Sequence, residues 1–237
     1  KLRRIDLYLR YDQPLISDEL LQFKALIKRR IKREPVAYIV GVKEFWSMDF
    51  AVTEDVLIPR PETECLVEAS LGLLPEDSNS VPNNPPMRIL ELGTGSGAVI
   101  LALASMVKKH LFFASDRLIK AVLLAKKNAK HHGLDKTVNF FCADWFTSLK
   151  VVRDRFDMII SNPPYIPTQV VSQLQPEIYK YEPISALDGK EDGLSCFRHI
   201  INNAHIYLNR QGSLVLEIGH DQKNDVQKIA ENCGKYK

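Results

Sequence analysis

The sequence predicts an α/β fold: a mostly parallel sheet covered on both faces, preceded by a small helical segment and a hairpin-like connection. Three observations predict it. From Arg88 onward, short apolar runs alternate with longer stretches of helical spacing. The short runs are almost continuously apolar, as strands buried on both faces must be. A glycine-rich turn, Gly93-Thr94-Gly95-Ser96-Gly97, joins the first run to the first helix, and parallel sheets bind ligands at such strand ends.

The elements follow in chain order. Leu20, Leu21, Ala25, Leu26 and Ile31 recur at helical spacing, with Ser17 placed to cap and Asp18 and Glu19 in the first turn. Phe45 to Ile58 alternates as a strand would, through Phe45, Phe50, Val52 and Val56. Pro59-Arg60-Pro61-Glu62-Thr63-Glu64 then turns into a helix over about 62–74. The stretch from Pro75 to Met87 is dense in Pro, Asn and Ser and reads as a linker. Strands are expected at 88–92, 111–115, 138–142, 156–161 and 212–217, and helices at 97–108, 118–132, 193–208 and 222–233. The organisation expected is a helical remnant at 1–35, a connecting hairpin and helix at 36–75, a linker at 76–87 and the α/β domain at 88–237.

Composition narrows the function. Of 237 residues, 45% are hydrophobic and 26% charged, enough for a sizeable globular core. No run of eighteen apolar residues appears, so no membrane span is expected. Cys65, Cys142, Cys196 and Cys233 lie far apart without metal-ligand spacing, so no metal is expected and the thiols read as free. The net charge of +3 is uneven: residues 1–33 carry ten Lys/Arg against four acids. That segment is either a solvated helix face or a weak contact to nucleic acid or the ribosome.

Chemistry gathers at four strand ends. The first reads Glu91-Leu92-Gly93-Thr94-Gly95-Ser96-Gly97-Ala98, whose glycines admit a ligand close to the main chain. Gly93, Gly95 and Ala98 also satisfy a loose dinucleotide fingerprint, which keeps a nicotinamide oxidoreductase in view. The second strand ends in Asp116, able to accept both hydroxyls of a ribose or to cap the next helix. The third ends in Asp144-Trp145-Phe146: a carboxylate for an exocyclic amine beside rings for a base face, or else core aromatics with a loop acid.

The fourth strand ends in Asn162-Pro163-Pro164-Tyr165. Prolines stiffen this corner and leave carbonyls unpaired. An amide or aromatic NH₂ is a poor nucleophile because its lone pair is delocalised. The Asn162 side-chain oxygen and the Pro163 carbonyl can each accept one of its N–H groups and aim the nitrogen, while Tyr165 packs on its flat face. A dehydrogenase has no need of such a corner.

Taken together these residues resemble the class I S-adenosylmethionine-dependent methyltransferases, of Rossmann-like fold. The nearer resemblance is to the HemK/PrmC type, the peptide chain release factor N5-glutamine methyltransferases. It rests on Arg33 to Trp46 (REPVAYIVGVKEFW), Val56 to Glu64 (VLIPRPETE), Glu91 to Ala98, Asn162 to Pro167 (NPPYIP), Glu182 to Leu194 (EPISALDGKEDGL) and Leu216 to Gln222 (LEIGHDQ). The LIPRPETE block discriminates best, because NPPY also occurs in enzymes acting on adenine or guanine.

The resemblance implies methyl transfer from S-adenosyl-L-methionine, leaving S-adenosyl-L-homocysteine, to the glutamine of the Gly-Gly-Gln motif of release factors. It implies cofactor contacts from Glu91, Gly93, Thr94, Gly95, Ser96, Gly97, Asp116, Asp144, Trp145 and Asn162. Asn162, Pro163, Pro164 and Tyr165 would hold the target glutamine, with Asn162, Pro163 and Tyr165 catalytic and Arg60 and Pro61 in a loop over the cleft. The partner implied is a release factor of bacterial or organellar type, in the cytoplasm, or in mitochondria if the source is eukaryotic. Relative to the family, the chain is expected to lack part of a helical N-terminal domain and the closing strands of the sheet. Lys190 stands where the family commonly has glycine, so a local change of that loop is expected. A nucleic-acid N-methyltransferase is the alternative within the class, and a non-catalytic scaffold stands outside it.

Overall fold

The computed structural model describes residues 4–74, 85–151 and 155–236. Most of the expected linker, residues 76–84, lies outside the described residues. The elements run α1 (Arg4–Leu9), α2 (Ser17–Ile31), α3 (Val36–Val40), β1 (Val42–Phe45), β2 (Met48–Ala51) and α4 (Glu64–Gly72). Then come β3 (Arg88–Leu92), α5 (Ala98–Met106), β4 (Leu111–Asp116), α6 (Ile119–His131) and β5 (Val138–Cys142). The chain continues through β6 (Phe156–Ser161), α7 (Thr168–Val171), α8 (Pro176–Tyr179), α9 (Ser195–Tyr207), β7 (Leu208–Leu216) and α10 (Lys223–Cys233).

The main sheet has five strands in the order β5-β4-β3-β6-β7, each pair parallel. The chain enters at the central β3, moves outward through β4 and β5, then returns to β6 on the other side. That reversal puts the switch point between β3 and β6, so their carboxyl ends open a crevice. Burial accounts for the order: Ile89, Leu90, Leu92, Met158, Ile159 and Ile160 of the two central strands are wholly inaccessible, each contributing on the order of 2 kcal/mol of apolar burial. Among the described residues no helix is long and apolar enough to cross a membrane.

The hairpin expected within 36–75 is β1 and β2. Three details of the sequence reading change. The strand-like alternation to Ile58 ends at Ala51 and gives way to irregular chain. Trp46 and Ser47 both adopt positive φ (53° and 56°), the requirement of a tight primed turn whose twist matches its strands. Carboxylates meet the cost: Glu64 Oε1 accepts the Trp46 N–H at 2.8 Å and Glu44 Oε1 accepts that of Ser47 at 2.7 Å. Ser17 does not cap α2; Ile16 occupies that position and Glu19 Oε2 accepts its N–H at 3.1 Å. The last strand begins four residues earlier than expected, with Gln211 at φ 82° and a register shift against β6 between Phe156 and Met158.

A buried amide helps tie the hairpin to the sheet domain. Asn128 of α6 is buried; its Nδ2 donates to the Ala51 carbonyl (3.0 Å) and the Ser96 carbonyl (2.8 Å), and its Oδ1 accepts the Ala51 N–H (2.9 Å). A buried amide so satisfied fixes β2 against both α6 and the glycine turn. By contrast α2 buries no side chain. It is tethered by Arg30 and Arg33, which pair with Glu177 of α8, and by the Tyr181 hydroxyl, which donates to the Lys32 carbonyl at 2.7 Å.

Candidate functional site

A cleft of about 550 Å³ opens at the carboxyl ends of the strands, a volume typical of small-molecule sites. The ends of β3, β4, β5 and β6 supply its floor, and its walls come from the segments around Val56–Thr63 and Pro183–His199. Glu91, Gly93, Thr94, Gly95, Ser96, Asp116, Asp144, Trp145, Asn162, Pro163, Pro164 and Arg60 all line it. Gly97, Pro61 and Tyr165 do not.

The glycine turn divides its labour. Gly93 and Gly95 have φ of 71° and 53°, and a Cβ on either would meet nothing within 4 Å, so their backbone faces open cleft. A Cβ on Gly97 would stand 3.1 Å from Ala125 Cβ and 3.2 Å from Leu101. Gly97 therefore serves the close approach of α5 to α6. Glu91 is buried beneath the turn, where its carboxylate accepts the Thr94 hydroxyl and a hydrogen bond from the Ile100 N–H in the first turn of α5. Burial outweighs both contacts and pushes its pKa up to about 8.

Asp116 does two things at once. Its Oδ1 accepts the Leu118 N–H at 2.9 Å ahead of α6, and its Oδ2 accepts the Gly95 N–H at 3.0 Å. Each oxygen keeps a further lone pair for a hydroxyl in the cleft, so capping does not use up its capacity to accept. Burial pushes its pKa upward. Trp145, at φ 50°, tilts its indole toward His199 with ring centroids 5.9 Å apart, while Phe146 is buried and stacks on Tyr207. The aromatic pair expected together splits into one cleft ring and one core ring.

The acceptor side is assembled from distant segments. Asn162 Nδ2 donates to Thr63 Oγ1 at 3.2 Å, which makes the LIPRPETE block a direct support of the NPPY corner. Arg60 lines the cleft as expected of its loop, and its guanidinium donates to Glu182 Oε1 at 2.5 Å, while Glu182 Oε2 accepts the Ile58 N–H at 3.1 Å. The Glu182 side chain is 1% exposed and that of Arg60 30%, so the pair fastens the Val56–Pro61 loop to the 182–188 wall. Pro61 is exposed and begins a single 3₁₀ turn, Pro61–Thr63, leading into α4. Tyr165 lies at the edge of the corner, its hydroxyl 3.5 Å from Glu217 Oε1.

Lys190 keeps the left-handed backbone of a glycine, φ 73°. Asp188 makes this tolerable: Oδ1 accepts the Lys190 N–H at 2.9 Å and Oδ2 lies 3.2 Å from Nζ. The expected local change is thus in side-chain contacts, not in backbone shape. Sequence reading missed Thr63, Glu182 and Glu217 as members of the site. All three sat inside quoted motifs, where nothing in their spacing told which side chain faced inward.

The parallel order β5-β4-β3-β6-β7, the glycine turn and the acid at the end of β4 define an S-adenosylmethionine-dependent methyltransferase of class I. Residues 83–237 match the methyltransferase domain family and residues 1–41 the PrmC N-terminal domain. A methyltransferase from Pyrococcus furiosus shares the fold with a TM-score of 0.56 at 16% identity, covering 87% of each chain. The release factor glutamine methyltransferase of Geobacter sulfurreducens is 41% identical over 98% of this chain and 78% of its own length. That of Coxiella burnetii is 42% identical over 99% of this chain and 80% of its own. The chain belongs to the release factor glutamine methyltransferase family.

Proposed function

We propose that the chain methylates the side-chain amide nitrogen of the Gly-Gly-Gln glutamine of a peptide chain release factor, with Asn162 and Pro163 as the acceptors that hold that amide. When bound, S-adenosyl-L-methionine supplies a sulfonium methyl and leaves as neutral S-adenosyl-L-homocysteine. The residues fit such a donor: Gly93 and Gly95 leave backbone open to the cleft, and Asp116 retains lone pairs for a ribose. Asp144, Trp145, Thr94, Ser96 and Glu91 complete the proposed cofactor contacts. Asn162 Oδ1 and the Pro163 carbonyl each take one N–H of the glutamine amide, orient its nitrogen and raise its lone-pair density. Pro164 stiffens the corner, and Tyr165 borders it from the neighbouring groove. No strong base is needed first; the proton leaves after transfer, to water.

The observation that carries this reading is the Asn162–Thr63 hydrogen bond. It occupies the amide's donor end and leaves Oδ1 as the acceptor. We further propose that the chain is organised as 1–35, 36–75, 76–87 and 88–237, the last holding the chemistry. A weak contact of the basic first 33 residues with nucleic acid or the ribosome is a further proposal, reduced by the pairing of Arg29 with Glu34 and of Arg30 and Arg33 with Glu177.

Radiolabelled methyl donor, purified release factor, its Gln→Ala variant and total RNA and DNA test the reading together. Label is expected on the wild-type release factor alone. Label on nucleic acid, or surviving the Gln→Ala change, overturns it. Within the enzyme, Asn162→Ala is expected to lower kcat at least a hundredfold while S-adenosylhomocysteine affinity stays within about tenfold.

A further inference from the structure

Glu217 stands just past the end of β7, on the side of the NPPY corner away from the cleft, in a groove it shares with Tyr165 and Glu62. Its Oε1 lies 3.5 Å from the Tyr165 hydroxyl, and its Oε2 is buried. Thr63 and Asn162 both turn hydrogen-bonding groups toward the same carboxylate, favouring its charged form. Thr63 is itself buried and accepts from Asn162 Nδ2 at 3.2 Å.

We propose that Glu217, acting through Thr63, is a positioning residue that decides which end of the Asn162 amide faces the substrate. This rests on the reading of Asn162 as the acceptor for the glutamine N–H. An ionised carboxylate only accepts, so the Thr63 hydroxyl gives its proton to Glu217 and its lone pairs turn to Asn162. A lone pair there accepts N–H, which fixes Nδ2 toward Thr63 and Oδ1 toward the cleft. The opposite amide orientation would set Oδ1 near the carboxylate and present N–H₂ to the substrate's own NH₂, two donors facing each other. The two orientations of an amide have nearly the same shape, and only the hydrogen-bond network separates them. When Glu217 is protonated it can donate, the Thr63 hydroxyl can reverse, and the discrimination is lost.

Burial pushes the Glu217 carboxyl upward, opposed by the hydrogen bonds from Thr63, Asn162 and Tyr165, and the nearby Glu62 pushes it further up. Tyr165 is also raised, by burial and then by Glu217. Cys65 and His220 line the same groove.

Three variants, assayed on release factor over a pH range with S-adenosylhomocysteine affinity measured alongside, test the proposal. Thr63→Val is expected to lower kcat at least tenfold with cofactor affinity unchanged within about threefold. Thr63→Ser, which keeps the hydroxyl, is expected to retain kcat within about threefold. The wild-type kcat is expected to fall on the acid side through a pKa above that of an ordinary glutamate, a limb that Glu217→Gln removes while lowering the plateau severalfold. Full kcat in Thr63→Val, or an unchanged acid limb in Glu217→Gln, overturns the proposal. So does parallel loss of kcat and cofactor affinity in both, which would assign the trio to folding. If Asn162→Ala is itself harmless, the site reading falls; if it is crippled while Thr63→Val is normal, only this inference falls.

Discussion

The cofactor side and the acceptor side of the cleft are built by different means. On the proposed cofactor side, each candidate group sits at the end of its own strand: the glycine turn joins β3 to α5, Asp116 ends β4, and Asp144 and Trp145 follow β5. Backbone N–H groups and helix starts do most of the holding, as with Gly95 and Leu118 on Asp116. On the acceptor side, Asn162 meets Thr63 from 99 positions earlier, and Arg60 meets Glu182 from 122 positions later. A binding site for a common donor can be made from one chain crossover. A site that must tell one NH₂ from others needs side chains fixed from several directions, and those come from remote segments.

Three perturbations sharpen the contrast. The first, Arg60→Ala, leaves Glu182 buried with the Ile58 N–H as its remaining partner and is expected to destabilise the fold by about 3 kcal/mol. Chemical denaturation would measure it; the comparison breaks if turnover falls while stability is unmoved, because Arg60 would then be a substrate contact. The second belongs to the cofactor side. Glu91 titrates near 8 in the folded protein against about 4.5 free, so between those values the folded state holds a proton that the unfolded state has lost. Stability should therefore fall as pH rises from about 4.5 to 8, by up to ~1.4 kcal/mol per pH unit from this group. The difference between wild type and Glu91→Gln, followed by unfolding from pH 5 to pH 8, isolates that slope; a flat difference would place the carboxylate in a wetter environment. The smallest effect is at Lys190. Replacement by glycine relieves a left-handed backbone and loses only an exposed ion pair, so a gain of about 1 kcal/mol is expected. A drop in stability would mean that Asp188 and Lys190 stiffen the 182–190 wall more than the backbone strains it.

Much of this was legible in sequence because it depends on spacing. β3 to β6 are found where apolar runs predicted them, within a residue at each end, since strands buried on both faces admit little but apolar side chains. The hairpin was expected, but its turn was not located, because Trp46 and Ser47 are not usual turn residues. Their positive φ depends on Glu44 and Glu64, and Glu64 is eighteen positions away. The Arg60–Glu182 pair was not legible for the same reason, since the counter-charge lies on a segment that no local pattern connects to Arg60.

The sequence by itself determined the parallel sheet, the crevice at its carboxyl ends, the glycine turn and the amide-and-proline corner, because each follows from residues adjacent in the chain. The tertiary structure alone decided which way those groups act. It gave Gly97 to helix packing, Arg60 to Glu182, and Thr63 to Asn162. The physical reason is that a buried polar group must find a partner wherever the fold brings one within about 3 Å, and that distance is unrelated to distance along the chain.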